Sequence, residues 1–430
     1  MIKSKPIPSR PEGQKNVLKL ACEPIPLVRI GIIGLGVRAS RALNRFMHIE
    51  GLEIKALCDL SPVNIEHAQN ILRINKRSKA DEYTGQKAWK SVCERDDIDL
   101  VYICTDWLTH TPMAVYAMMH GKHAAMEVPA AVTAAECWEL VDTAERTQKH
   151  CMMLENCCYD FFELNTLNMA QKGIFGELIH AEGAYIHDLR ERVLSNEHGR
   201  RVGNWQNKYN AQHTGNPYPT HGLGPVCQAL GIHRGDKMNY LVSMSTKQVG
   251  MSEYVLERFG KDSPEVDFDF KLGDMNNTLI KTEKGKTILL QHDIANPRPY
   301  SRIHLLSGTK GYIQKYPIEQ ALLSIYPETV LKDEYLNALL KEYQHPFIKK
   351  TGDRAVDLFE DRARDFLMDY RLIYCLRNGL PLDQDVYDAA EWSCIVELTE
   401  TSVINDSEPV EIPDFTRGDW NKLEGLEFAS

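Results

Sequence analysis

The chain lacks the marks of several large protein classes. Its eleven cysteines include no CxxC pair, so their spacing offers neither a zinc knuckle nor a redox dithiol. No HExxH, no His-x-His and no paired-carboxylate spacing gathers His110, His123, His187, His213, His221 or His233 into a ligand motif, and no metal is expected. Basic residues are in deficit: 50 Lys and Arg against 60 Asp and Glu leave a formal charge of −10, which argues against a nucleic-acid partner. No apolar run approaches the ~18 residues of a membrane span, so no membrane partner is expected either. Collagen-like and low-complexity readings fail on 27 Gly and 20 Pro in 430 residues. Met1 to Leu27 has no continuous apolar segment and no small-residue cleavage site, and reads as a Pro-punctuated, poorly ordered arm. As given, the chain carries no export address. A cytoplasmic location is expected, or a periplasmic or exported one if a precursor signal has been removed.

What is present is the pattern of a globular α/β protein, 43% apolar and 26% charged. Val28–Ile33 is a β-branched run, followed by Gly34-Leu35-Gly36, a helical stretch from Ser40 to His48 and a second strand, Leu52–Cys58. Strand, turn, helix and strand in about thirty residues make a βαβ unit and imply a parallel sheet. Leu100–Cys104, His123–Met126 and Cys151–Leu154 continue it, with helices over Met113–His120 and Ala134–His150. After residue 157 the texture changes. A helix over Phe161–Lys172 precedes alternating segments at Glu177–His187, Tyr240–Gln248, Asp267–Leu272, Thr278–Thr282 and Thr287–Asp293, the pattern of an antiparallel sheet. A long helix is expected from about Ala355 to Leu376, stopped by Gly379-Leu380-Pro381. The chain thus reads as an arm (1–27), a doubly wound parallel Rossmann domain (28–157) and an α+β domain with a mostly antiparallel open sheet (158–430).

Gly34-x-Gly36-x-x-Ala39, between strand and helix, is a dinucleotide fingerprint in its required context. Gly34 allows the tight turn and Gly36 lets a pyrophosphate approach the helix N-terminus. Asp59, at the end of the second strand and twenty residues after Ala39, is placed to bind a ribose 2′-hydroxyl and repel a 2′-phosphate, so NAD is favoured over NADP. Arg38 works against that preference.

Asp106-Trp107-Leu108-Thr109-His110-Thr111-Pro112 and Gly121–Pro129 resemble the glucose–fructose oxidoreductase/inositol dehydrogenase superfamily. Its Glu-Lys-Pro motif is here Glu127-Val128-Pro129, and valine cannot transfer a proton. Glu-Val-Pro, together with Met153–Asn156, Tyr185, Trp205, Asn216–Pro225 and Asp369–Asp383, resembles one subgroup, glycoside hydrolase family 109, over Val28 to about Thr401. Two departures stand out. Ala39 replaces a glycine of many relatives, and Asp361-Arg362-Ala363-Arg364 replaces a Gly-rich, His-containing turn.

The resemblance implies an NAD-dependent glycosidase acting on glycans with terminal α-N-acetylgalactosamine by oxidation at C3, elimination across C1–C2, addition of water and reduction. It implies that His221 assists at the C3 hydroxyl, its unperturbed pKa suiting two-way transfer. Tyr185 becomes the base at C2, activated by a cation or by the nicotinamide charge close to it, with Arg201 as a candidate neighbour, and Tyr218 and Glu155 complete the acid/base group. Tyr185, Arg201, Tyr218, Pro219, Thr220, His221 and Tyr300 are the implied substrate contacts. Gly34, Gly36, Val37, Arg38, Asp59, Trp107, His110, Glu127, Val128 and Asn156 are the implied cofactor contacts. The superfamily habit implies a homo-oligomer. Two other readings stay open. A plain NAD-dependent sugar or polyol dehydrogenase would release one NADH per product, and a non-catalytic sugar or nucleotide sensor would account for the missing lysine.

Overall fold

A computed structural model describes residues 7–194, 204–262, 270–318, 320–326 and 328–430. Six parallel strands form the first sheet: β1 Val28–Ile33, β2 Leu52–Cys58, β3 Asp81–Tyr83, β4 Leu100–Ile103, β5 His123–Met126 and β6 Cys151–Met153. Their order is β3-β2-β1-β4-β5-β6. Every residue of β4, β5 and β6 is buried, as expected of strands covered on both faces. The order reverses between β1 and β4, which opens a crevice at the carboxyl ends of these strands.

Eight strands form the second sheet: β7 Leu178–Ile186, β8 Met238–Ser245, β9 Asn276–Thr282, β10 Thr287–Asp293, β11 Leu305–Gly308, β12 Tyr312–Gln314, β13 Leu322–Ser324 and β14 Val410–Glu411. Their order is β13-β12-β11-β7-β10-β9-β8-β14; β7 and β10 run parallel and all other pairs antiparallel. The two-residue period separates the faces. Ala181, Gly183 and Tyr185 of β7, in register with Ile288, Leu290 and His292 of β10, lie buried on the inner face. A helix, Thr220–Leu230, lies against this face because both sides of the contact are glycine. A Cβ on Gly183 would sit 2.2 Å from the Gly222 carbonyl oxygen, and one on Gly222 2.3 Å from the Ala184 nitrogen.

Three expectations are corrected. Among the described residues the arm is not loose. Lys15 donates its backbone N–H to the Glu145 carbonyl, Cys22 to that of Gly379 and Ile25 to that of Leu376, while Val17 is buried under the Tyr387 hydroxyl. The long helix is two helices, Pro346–Phe359 and Ala363–Asn378, broken where Glu360 adopts φ 47°. The break falls at the departure 361–364 and aims Arg364 at Asp160, 3.0 Å away. The strand expected at Asp267–Leu272 lies partly outside the described residues. Phe270–Leu272 is irregular, and Leu272 donates its N–H to the Asn210 carbonyl.

Candidate active site

The cofactor end is built on the β1 turn. Gly34 has φ +84°, and a Cβ there would lie 2.7 Å from the Cys104 carbonyl oxygen, so only glycine fits. Gly36 caps the helix Val37–Phe46, and a Cβ on it would meet nothing within 4 Å. That open space lies over the first-turn amides, from Val37 onward, which have no helical acceptor. Asp59 closes the turn: Oδ2 accepts from the Leu35 N–H at 2.5 Å and Oδ1 from the Ser61 N–H at 2.7 Å. An anion-seeking helix end with room above it and a half-exposed carboxylate at the end of β2 suit a dinucleotide. Arg38 does not blunt the preference for NAD. Its guanidinium is forked onto Glu127 at 2.9 and 3.0 Å, and the carboxylate raises the arginine pKa further.

Asp106 caps the helix Trp107–Met119 by accepting from the Leu108 N–H. Trp107, the first residue, is buried and stacks on Tyr218 with centroids 5.7 Å apart. His110 is fully buried; Nδ1 lies 2.8 Å from the Pro129 carbonyl and Nε2 3.2 Å from that of Thr105. Burial lowers its pKa. These contacts make His110 a brace for the Val128–Pro129 loop. Val128 is buried beside it. Asn156 donates its amide to Asp365, and Asp365 in turn faces Arg45 of the first helix at 3.8 Å.

The residues expected to form the acid/base group come together where the inner face of the second sheet meets this crevice. The helix Thr220–Leu230 carries His221 in its first turn, and Pro219 stands at the N-cap. Glu155 follows β6. Its Oε1 lies 2.6 Å from His221 Nδ1 and also accepts from the Cys157 N–H at 3.0 Å. Burial pushes the His221 pKa down, but Cys157 and the Glu155 carboxylate outweigh it and raise the pKa to about 10. Glu155 is fully buried, yet His221, the Thr220 hydroxyl and the Cys157 amide hold it below the usual carboxylate value. The near-neutral pKa expected of His221 is therefore corrected by a partner 66 residues away.

Tyr185 ends β7 with its ring 5.4 Å from that of His221 and 4.8 Å from that of Tyr218. Burial raises its pKa beyond what Arg192 and Arg38 offset; Arg201, the cation expected to activate it, is not among the described groups that enter this balance. His187 Nδ1 is 3.5 Å from its hydroxyl. Tyr218 is likewise a neutral phenol, raised by burial. Tyr300 packs edge-on to His187 at 5.2 Å and accepts from Arg302 at 3.2 Å. Thr220 is buried behind His221. Arg201 lies outside the described residues.

The fold also gathers side chains that spacing did not single out. Ligand atoms of Glu155, Cys157 and His221 lie within 4.8 Å of one another, as do those of His233, Asp385 and Asp388. Asn210 and His292 enter the wall beside Tyr185. No linear signal marked these groupings.

The crevice and the fingerprint turn define the class as a nicotinamide-binding protein with a Rossmann sheet, and the comparisons extend that reading. Residues 28–155 match the oxidoreductase family with an NAD-binding Rossmann fold, and residues 159–422 match the glycosyl hydrolase 109 C-terminal domain. The chain belongs to glycosyl hydrolase family 109. It is 59% identical over 411 residues, 95% of this chain and 97% of the relative, to an alpha-N-acetylgalactosaminidase of Bacteroides fragilis. It is 57% identical over 408 residues, 95% and 99% of the two chains, to glycosyl hydrolase family 109 protein 2 of Phocaeicola vulgatus. Among solved structures, a levoglucosan dehydrogenase in complex with NADH and levoglucosan superposes with TM-score 0.65 at 13% identity, covering 90% of this chain and all of that one. An aldose-aldose oxidoreductase of Caulobacter crescentus gives 0.62 at 15%, covering 90% and 99%. At such identities the likeness is one of fold.

Proposed function

We propose that this protein hydrolyses terminal α-N-acetylgalactosaminides with NAD as a returning cofactor. The observation that carries the reading is the presence of two separate proton-transfer groups, the Glu155–His221 pair and Tyr185, with rings 5.4 Å apart. Oxidising an alcohol needs one such group, for the O–H proton. Elimination needs a second, for the C–H proton at C2.

NAD held at the Gly34–Gly36 turn and Asp59 would supply a reversible hydride acceptor for C3 of the sugar, which would make C3 a transient ketone. His221 keeps Nδ1 on Glu155 and exchanges the C3 hydroxyl proton at Nε2. Near neutral pH the ring carries a proton on both nitrogens, so Nε2 must first release one before it can take the hydroxyl proton, and the charge of Glu155 makes that release the costlier direction. Tyr185 takes the C2 proton, which the ketone has acidified, and passes its own toward His187 Nδ1. The C1–O bond to the aglycone breaks in the same elimination, and water then adds at C1. Tyr218, a neutral phenol in contact with both groups, is the proton donor on that wall. Trp107, stacked under Tyr218, ties the acid/base wall to the cofactor crevice. Gly34, Gly36, Val37, Arg38, Asp59, Glu127, Val128 and Asn156 frame the cofactor side, and Pro219, Thr220 and Tyr300 the substrate side.

Release of a chromogenic aglycone from an α-N-acetylgalactosaminide without net NADH tests the reading. One NADH per product would favour the dehydrogenase alternative instead. A homo-oligomer is part of the proposal. Val242, Met244, Leu279 and Leu289 line the outer face of the second sheet, with Met244 and Leu279 exposed. Charging this face at Leu279 is expected to reduce the assembly mass measured by light scattering. Eleven unpaired cysteines support a reducing compartment.

A further inference from the structure

Two buried polar side chains beside Tyr185 have no partner. Asn210, on the helix Asn204–Gln212, is 3% exposed, and its Oδ1 has no hydrogen-bond partner. His292, at the end of β10, is 1% exposed, and its Nδ1 has none either. Burial lowers the His292 pKa to about 3, so the ring is neutral. Both line one cavity of about 40 Å³, together with Tyr185, the polar Arg192 and Gln206, and the apolar Leu189, Val193 and Ile294. Buried polar atoms are nearly always paired, so two orphaned atoms on residues that line one cavity point to a ligand group.

We propose that Asn210 and His292 line the subsite for the 2-acetamido group of the sugar and so set the preference for N-acetylgalactosamine over galactose. Three observations carry this inference, which rests on the activity proposed above. The cavity holds about three water-sized groups, enough for an acetyl group and too small for a pyranose ring. Its walls match an acetamido group: the Asn210 amide can donate to the carbonyl and accept from the N–H, while Leu189, Val193 and Ile294 offer apolar contact to the methyl. Tyr185, which borders the cavity, is the base at C2, and C2 is the carbon that carries the acetamido group. Galactose would leave Asn210 buried and unpaired, the circumstance in which a site rejects an analogue most strongly.

The test compares kcat/KM on α-N-acetylgalactosaminide and α-galactoside bearing the same chromogenic aglycone. Wild type, Asn210→Leu and His292→Phe are assayed, each checked for retained NAD. The wild type is expected to prefer the acetamido sugar. Asn210→Leu should lower kcat/KM on it by at least ~10-fold, with a much smaller change on the galactoside, so that the preference collapses. Asn210→Ser takes the place of a leucine variant that fails to retain NAD. Unaltered preference in both the Asn210 and the His292 variants would overturn the subsite. Wild-type inactivity on both glycosides would overturn the glycosidase reading instead. The subsite would then be judged by calorimetry with free N-acetylgalactosamine and galactose: equal wild-type affinity overturns it, and a preference that Asn210→Leu abolishes sustains it.

Discussion

His221 owes its behaviour to two neighbours, Cys157 and Glu155. With its pKa raised to about 10 and that of Glu155 lowered, the pair is charged across neutral pH. Its contribution to stability is fully present below the ordinary histidine value of 6.5, declines as pH rises, and is lost above about 10. On the acid side it is lost as pH falls below the usual Glu range. Wild type should therefore exceed Glu155→Gln in melting temperature most clearly between about pH 5 and 6.5, with the gap closing toward pH 10. A gap that stays constant with pH would contradict the ion pair. The same variant should move the acid limb of kcat/KM to lower pH, because Nε2 loses its proton more readily without the carboxylate. At Tyr185 the loss should be purely chemical. Tyr185→Phe and His221→Ala should each cut turnover by at least ~10²-fold, and near wild-type rates in both would refute their roles.

Glycines decide whether the elements bring these residues together. The Thr220–Leu230 helix can touch β7 only because Gly183 and Gly222 face each other, and that contact sets the distance from His221 to Tyr185. Gly222→Ala should force the helix off the strand, lower the melting temperature by several degrees, and reduce turnover by ~10²-fold or more. Normal activity in that variant would mean that the helix position is not critical. The break at Glu360 works in the same way, starting a new helix that places Arg364 and Asp365 against Asp160 and Asn156. Nothing in the local sequence marks this break, because the chain uses neither Gly nor Pro there. Glu360 takes a left-handed conformation that packing between Phe359 and Phe366, rings 5.2 Å apart, helps to hold.

At the scale of the whole molecule, two sheets share one continuous core, and the proposed chemistry falls where the carboxyl ends of the first meet the inner face of the second. The first sheet was legible in the sequence because each βα unit is local and its buried strands read as apolar runs. The fingerprint and Asp59 were legible for the same reason. The pairing of Glu155 with His221 across 66 residues was not, nor was the fork of Arg38 onto Glu127, which cancels the charge that Arg38 carries in the sequence. The arm looked loose because its backbone acceptors lie some 130 to 360 residues away. Asn210 and His292 were invisible because lacking a partner is a property only the fold reveals. All of this converges on one claim, that hydride leaves the sugar and returns to it within a single turnover. The most direct measurement is hydrolysis of a chromogenic α-N-acetylgalactosaminide in D₂O. The account predicts aglycone release with no net NADH, deuterium at C2 of the released sugar, and loss of activity when NAD is stripped. Full activity without NAD, or a product with no deuterium at C2, would contradict it.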